Sequence, residues 1–262
     1  MTADKWQSGA AYELYMGRWS RPLARSFVEW LKWKPAAHWL EIGCGTGALT
    51  SVICERADPA SVVACDPADA FVSHARKQVP DARASFVAAG VDALPQKPGG
   101  FDAIVSGLVL NFLPQPERAL ASMLERLRPS GVAAAYVWDY AGGTEFLRDF
   151  WAEAVAADPR AAALDERTRF PLCEPAALSA AFRAAGFDNV ETTALVIPTV
   201  FADFDDFWSP FLGGTGPAPA YVGSLAPPQR EDLRERLRRR FHAERDGRIS
   251  LEARAWAVRG TG

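Results

Sequence analysis

Between Leu40 and Thr50 the chain passes from an apolar run through three alternate glycines into a helix onset, Leu40-Glu41-Ile42-Gly43-Cys44-Gly45-Thr46-Gly47-Ala48-Leu49-Thr50. Residues 38–42 have the length and apolar content of a short buried strand, and residues 48–53 begin a helix. Glycine takes positive φ without a Cβ penalty, and its missing side chain lets a ligand come close to the backbone. A strand, a glycine turn and a helix N-terminus in this order form the nucleotide-binding corner of a doubly wound α/β sheet. A glycine turn without a ligand is the plain alternative.

The glycines alone do not choose the nucleotide, because Gly43, Gly45 and Ala48 also satisfy the dinucleotide pattern. Glu41 separates the two readings. A carboxylate at the ligand end of the strand repels a pyrophosphate, which a helix N-terminus otherwise attracts. It favours a ligand with an ammonium group and no phosphates, and S-adenosylmethionine is such a ligand. At this point the chain resembles the class I S-adenosylmethionine-dependent methyltransferases, whose first motif has an acidic residue followed by three alternate glycines, as in Glu41-x-Gly43-x-Gly45-x-Gly47. The branch it most resembles is that of ubiquinone and menaquinone biosynthesis. The resemblance implies an α/β fold with a doubly wound, seven-stranded, mostly parallel Rossmann-like sheet, and a cofactor held by Glu41, Gly43, Cys44, Gly45 and Gly47.

A chain of 262 residues can bury a full core. Its net charge of −3 gives no field that would draw it to nucleic acid or an anionic membrane. A small-molecule partner fits better. The four cysteines, Cys44, Cys54, Cys65 and Cys173, and the three histidines, His38, His74 and His242, lack metal-ligand or disulfide spacing. No signal-peptide pattern and no apolar run of about 20 residues is present, so a cytoplasmic protein is expected.

Three regions follow. Residues 1–36 form an N-terminal arm, crowded with Tyr12, Tyr15, Met16, Arg18 and Trp19, and a helix that Pro22 opens. Leu23, Phe27, Trp30 and Leu31 give that helix one apolar face. In the resembling methyltransferases such an arm folds over the cofactor. Arg18 would then pair with the methionyl carboxylate and Tyr15 would lie near the sulfonium; a merely docked arm is the alternative.

Residues 37–140 form the cofactor-binding core. Strand 61–65 ends at Asp66-Pro67, and Asp66 stands at the distance from the glycines at which an acidic side chain meets ribose hydroxyls. After a helix over 68–78 and a strand over 84–87 comes Ala89-Gly90-Val91-Asp92-Ala93-Leu94-Pro95. The family has Gly-Asp-Ala here, with the aspartate on the adenine amino group. This chain departs from that pattern, because Gly90 stands where the aspartate would be. Either Asp92 reaches the adenine, or backbone groups of Gly90 and Val91 hold it. Strand 101–106 ends at Gly107-Leu108, and Ser106, Gly107 and Leu108 should face the methionyl end, since ligands bind where the strand order reverses. A helix over 116–127 leads to strand 132–138, with Asp139 and Tyr140 at its carboxyl end. Asp139 is the candidate general base, with a structural aspartate as its alternative.

Residues 141–262 complete the sheet with strands near 190–196 and 251–258 and a helix over 174–185. Two insertions, 141–173 and 198–250, carry Phe146, Phe150, Trp151, Phe170, Phe201, Phe204, Phe207, Trp208, Phe211 and Tyr221. These aromatics are either the core of a lid or the wall of an apolar substrate pocket. The arginine-rich run 229–245 repeats Leu233, Leu237 and Phe241, which predicts an amphipathic helix with a salt-bridged outer face.

The expected chemistry is methyl transfer from S-adenosylmethionine to an O-, N- or C-nucleophile of a small, apolar or aromatic acceptor, without a metal. The other readings are a nicotinamide-dependent oxidoreductase and a non-catalytic S-adenosylmethionine-binding protein.

Overall fold

Strands that are apolar on both faces and joined by helical crossovers must lie side by side in parallel, covered above and below. The computed structural model, which describes residues 13–214, 216–241 and 244–262, has this arrangement. Tyr12 and His242 lie outside the described residues. The strands are β1 His38–Ile42, β2 Ser61–Asp66, β3 Ala84–Ala88, β4 Phe101–Gly107, β5 Leu127–Trp138, β6 Asp188–Phe201 and β7 Ile249–Thr261. They form one sheet in the order β3-β2-β1-β4-β5-β7-β6. The first five are parallel, and β7 runs antiparallel to β5, with Trp138 opposite Ala255. The order reverses between β1 and β4, so the crevice of a doubly wound sheet opens outside their carboxyl ends.

The helices of eight or more residues are α1 Arg18–Leu31, α2 Ala48–Arg56, α3 Asp69–Gln78, α4 Pro116–Arg126, α5 Glu145–Ala157, α6 Pro175–Ala184, α7 Pro217–Ser224 and α8 Pro227–Arg240. None is long and apolar enough to cross a membrane. The start of α1 differs from expectation: Pro22 lies inside the helix, which begins at Arg18 and follows a π-helical turn over Glu13–Gly17. Pro22 has no N–H to give the carbonyl of Arg18, so the proline costs a bond only at the helix's first residue. The outer strands also run longer than their sequence patterns, because pairing with a neighbour sets a strand's length as much as alternation does.

The chain divides into two compact units. Ser20–Trp138, Leu172–Leu195 and Ala255–Gly262 make the sheet unit. Within it, Leu23, Phe27 and Leu31 of α1 are buried, and Phe27 packs 4.6 Å from the Tyr136 ring. The other unit comprises the described residues up to Trp19 with Asp139–Pro171 and Val196–Arg254. Its core is aromatic. Phe150 stacks on Phe211 at 4.6 Å, Tyr15 meets Phe211 edge-on at 5.5 Å, Trp151 lies 5.6 Å from Tyr221, and Phe207 lies 4.6 Å from Phe241. The insertion aromatics are therefore packed on one another, as edge and offset contacts favour. In α8, Leu233 and Leu237 are buried while Arg236 pairs with Asp232 and Arg238 with Glu235 on the outer face.

Candidate functional site

The glycine turn is held from three sides. The N–H groups of Gly43 and Cys44 both donate to the Cys65 carbonyl, at 2.7 and 2.9 Å, which ties the end of β1 to the end of β2. Gly43, Gly45 and Gly47 all have positive φ, but for different reasons. A Cβ at Gly43 would lie 2.5 Å from a Val109 methyl, and one at Gly47 would lie 3.1 Å from Val79. A Cβ at Gly45 would meet no atom within 4 Å. Two glycines thus serve packing, and the middle one presents bare backbone to open space. The Cys44 side chain is turned inward, buried with Ala64, Val72, Ala75, Val79 and Phe86. Only its backbone belongs to the turn's outer surface, and burial pushes its thiol up, away from reactivity.

Glu41 is 1% exposed and accepts a 2.5 Å hydrogen bond from the Thr50 hydroxyl on α2. Burial pushes its carboxyl up to about 8; the Thr50 bond opposes this and Asp66 adds to it. The acid that the sequence places at the ligand end of β1 is therefore a desolvated group beneath the turn. A neighbouring cation would favour its charged form. Thr50 was not singled out from sequence, although it stands one helical turn past the glycines, where a hydroxyl can reach back to β1.

Asp66 closes the other side. Its Oδ2 accepts from Gly45 N–H at 3.1 Å and its Oδ1 from Ala68 N–H at 2.9 Å. It is buried, and burial raises its pKa against those two bonds. Each oxygen keeps a second lone pair for an outside donor. Pro67 is exposed beside it, with its Cβ 3.9 Å from the position a Cβ would take on Gly90. Gly90 precedes the short turn Val91–Ala93. Asp92, however, is 76% exposed and pairs with Arg118 at 2.8 Å.

At the end of β4, Ser106 is fully buried and donates its hydroxyl to the Ile42 carbonyl at 3.1 Å, locking β4 to β1. Gly107 is required because a Cβ there would lie 2.6 Å from the Tyr136 hydroxyl oxygen. Leu108 takes φ 61°, a strained value for a branched residue, while its N–H reaches the Tyr136 carbonyl at 2.8 Å. Three residues further on, in the turn Leu110–Phe112, the Nδ2 of Asn111 is buried and has no hydrogen-bond partner among the described residues. Its one sequence signal is a lone amide in the apolar run Leu108-Val109-Leu110-Asn111-Phe112-Leu113.

Three of the expected site residues lie in the aromatic unit, each with contacts of its own. Asp139 is 2% exposed, and its oxygens accept from Arg254 Nε at 2.7 Å and from the N–H groups of Ala141 and Gly142 at 3.0 and 3.3 Å. It anchors its own loop, and three donors take up most of its accepting capacity. Arg18 places its fork on Asp206, at 2.8 and 3.0 Å, and lies 4.6 Å from the Trp19 ring. A bidentate pair satisfies the charge that was expected to meet a methionyl carboxylate. Tyr15 is buried against Phe211 in the aromatic unit, where its hydroxyl has no partner among the described residues. No group of side chains among the described residues could hold a metal ion.

A mostly parallel sheet with this order reversal, and a glycine corner bounded by two acids, define a Rossmann-like fold. Residues 40–135 match the methyltransferase domain family. The chain is 34% identical over 115 residues to trans-aconitate 2-methyltransferase of Deinococcus radiodurans, covering 44% of this chain and 43% of that protein. It is 30% identical over 186 residues to nocamycin O-methyltransferase of Saccharothrix syringae, covering 65% and 66%. The Haemonchus contortus phosphoethanolamine N-methyltransferase 2, solved with phosphomonomethylethanolamine and S-adenosylhomocysteine, shares the fold with a TM-score of 0.56 at 13% identity, over 96% of this chain and 56% of that one. Over residues 40–135 the chain carries a methyltransferase domain of the class I, S-adenosylmethionine-dependent kind. It spans less than half the length of the first curated relatives it matches.

Proposed function

We propose that this protein transfers the methyl group of S-adenosylmethionine to a small-molecule acceptor. The observation that carries the reading is the pairing of bare backbone at Gly45 with the Asp66 carboxylate bonded to it. Asp66 offers lone pairs to two ribose hydroxyls, and Gly45 lets the ligand lie against the chain. Because Asp92 is engaged by Arg118, adenine recognition falls to backbone groups of Gly90 and Val91, beside Pro67. Glu41, beneath the turn, ionises beside a cation and so favours a cationic amino-acid tail over a pyrophosphate. When bound, the cofactor supplies a methyl group that its sulfonium already makes electrophilic. The protein's part is then to align the nucleophile and exclude water, and positioning supplies most of the rate.

The acceptor is small and apolar or aromatic, an O-, N- or C-nucleophile. The relatives named for trans-aconitate and nocamycin act on small molecules, which supports a small-molecule acceptor; its apolar or aromatic character is read from the aromatic insertions alone. The test is calorimetric titration with S-adenosylhomocysteine and, separately, with NADH, followed by methyl-transfer assays over a panel of phenols, amines and carboxylic acids. Binding of S-adenosylhomocysteine in the micromolar range, abolished in Asp66→Ala, is expected. Tight NADH binding without it would overturn the reading, and cofactor binding with no transfer across the panel would leave a binding protein only.

A further inference from the structure

Among the described residues of the sheet unit, three buried side-chain polar atoms lack a hydrogen-bond partner: Arg25 Nε, Trp39 Nε1 and Asn111 Nδ2. Arg25 lies on α1 and Trp39 near the start of β1, so neither stands at the carboxyl ends of the strands. Asn111 does. An unpaired buried donor costs about 1–3 kcal/mol and calls for an explanation. Its neighbourhood is fixed with care. Val109, two residues before it, fills the space that a side chain on Gly43 would need, so the turn after β4 is packed onto the turn after β1. Leu108 accepts a strained φ to place that turn.

Several donors in the turns after β1 and β4 are already spent. Gly43 and Cys44 N–H groups are on Cys65, Gly45 N–H is on Asp66, Leu108 N–H is on Tyr136, and the Ser106 hydroxyl is on Ile42. Asp66, at the end of β2, marks the nucleoside side of β1. The tail of the cofactor then points to the other neighbour of β1, which is β4. That tail ends in an ammonium and a carboxylate. An amide N–H donor suits the carboxylate.

Resting on the cofactor reading above, we infer that Asn111 donates its side-chain N–H to the methionyl carboxylate of the bound cofactor, the role the sequence assigns to Arg18. A neutral donor does this without placing a second strong charge beside the sulfonium, and it leaves Glu41 as the group that answers the positive end of the tail.

The test uses the whole chain and two ligands, S-adenosylhomocysteine and its analogue lacking only the carboxylate, S-adenosyl-3-thiopropylamine. Asn111→Leu is expected to weaken S-adenosylhomocysteine by about tenfold and to leave the decarboxylated analogue within about twofold. Asn111→Asp should weaken the carboxylate ligand further, by like-charge repulsion, and should bind the decarboxylated analogue at least as well as the native chain. Unchanged binding of the analogue shows that each variant is folded. Equal losses for both ligands, or no loss for either, would overturn the assignment. If the native chain bound neither ligand, the cofactor reading itself would fall, a result distinct from native binding that Asn111→Leu does not alter.

Discussion

Glu41 is the residue whose environment departs furthest from what its type suggests. Its carboxyl, raised to about 8 by burial, titrates near 4.5 once unfolding returns it to water. Between those values the folded chain holds a proton that the unfolded chain releases, so stability is fullest below the lower value and falls as pH rises through the upper one. Glu166 follows the same rule, pushed up to about 8 by burial beside the Trp151 indole N–H that bonds it. Thermal melts from pH 5 to pH 9 are expected to show a falling midpoint. Glu41→Gln keeps an acceptor for Thr50 and should flatten that fall by several degrees; an equally steep profile would contradict the protonation. Asp139 makes the opposite case. Asp139→Asn should cost about 1–3 kcal/mol of stability, because a buried acceptor of three donors is altered, while turnover per folded molecule stays within about twofold. A loss of several hundredfold would restore it as a base.

At the scale of the element, the turn after β1 separates two uses of glycine. Gly43→Ala would pay about 1–2 kcal/mol for its left-handed backbone, and about 1–3 kcal/mol more for driving a methyl group into Val109. Gly45→Ala would pay only the first, since nothing stands within 4 Å of its Cβ position. Chemical denaturation should rank Gly43→Ala well below Gly45→Ala in stability, whereas calorimetry should find the larger relative loss of S-adenosylhomocysteine affinity in Gly45→Ala. This turn was readable in sequence because its signals are local: an apolar run, an acid and alternate glycines within a dozen residues. Asp66 was readable for the same reason, through spacing. What was not readable depended on distant partners. Arg18 looked free until Asp206 arrived from the far end of the chain, and Asp139 looked available until Arg254 claimed it. Asn111 is silent in the sequence because an amide in an apolar run carries no periodic signal, and only the absence of a partner marks it.

For the molecule as a whole, the decisive property is how far apart in sequence the paired strands lie. β1 must wait for β4, and β5 for β7, whose Ala255 stands opposite Trp138. Removing residues 249–262 strips β5 of that partner and bares a row of unpaired amides along an apolar strand. The shortened chain is expected to sediment as aggregate, where the full chain gives a single cooperative melt; a soluble, folded truncation would contradict the importance of β7. The same pairing has a consequence in time. While the chain is being synthesised, β5 is complete long before β7 exists, and two insertions rich in aromatic side chains emerge in between. At the usual pace of elongation that interval lasts seconds, ample for association between neighbouring nascent chains. Slow translation or low temperature during expression should therefore trade a longer wait against weaker hydrophobic association, and the yield of soluble protein becomes a readout of how long one strand edge stays uncovered.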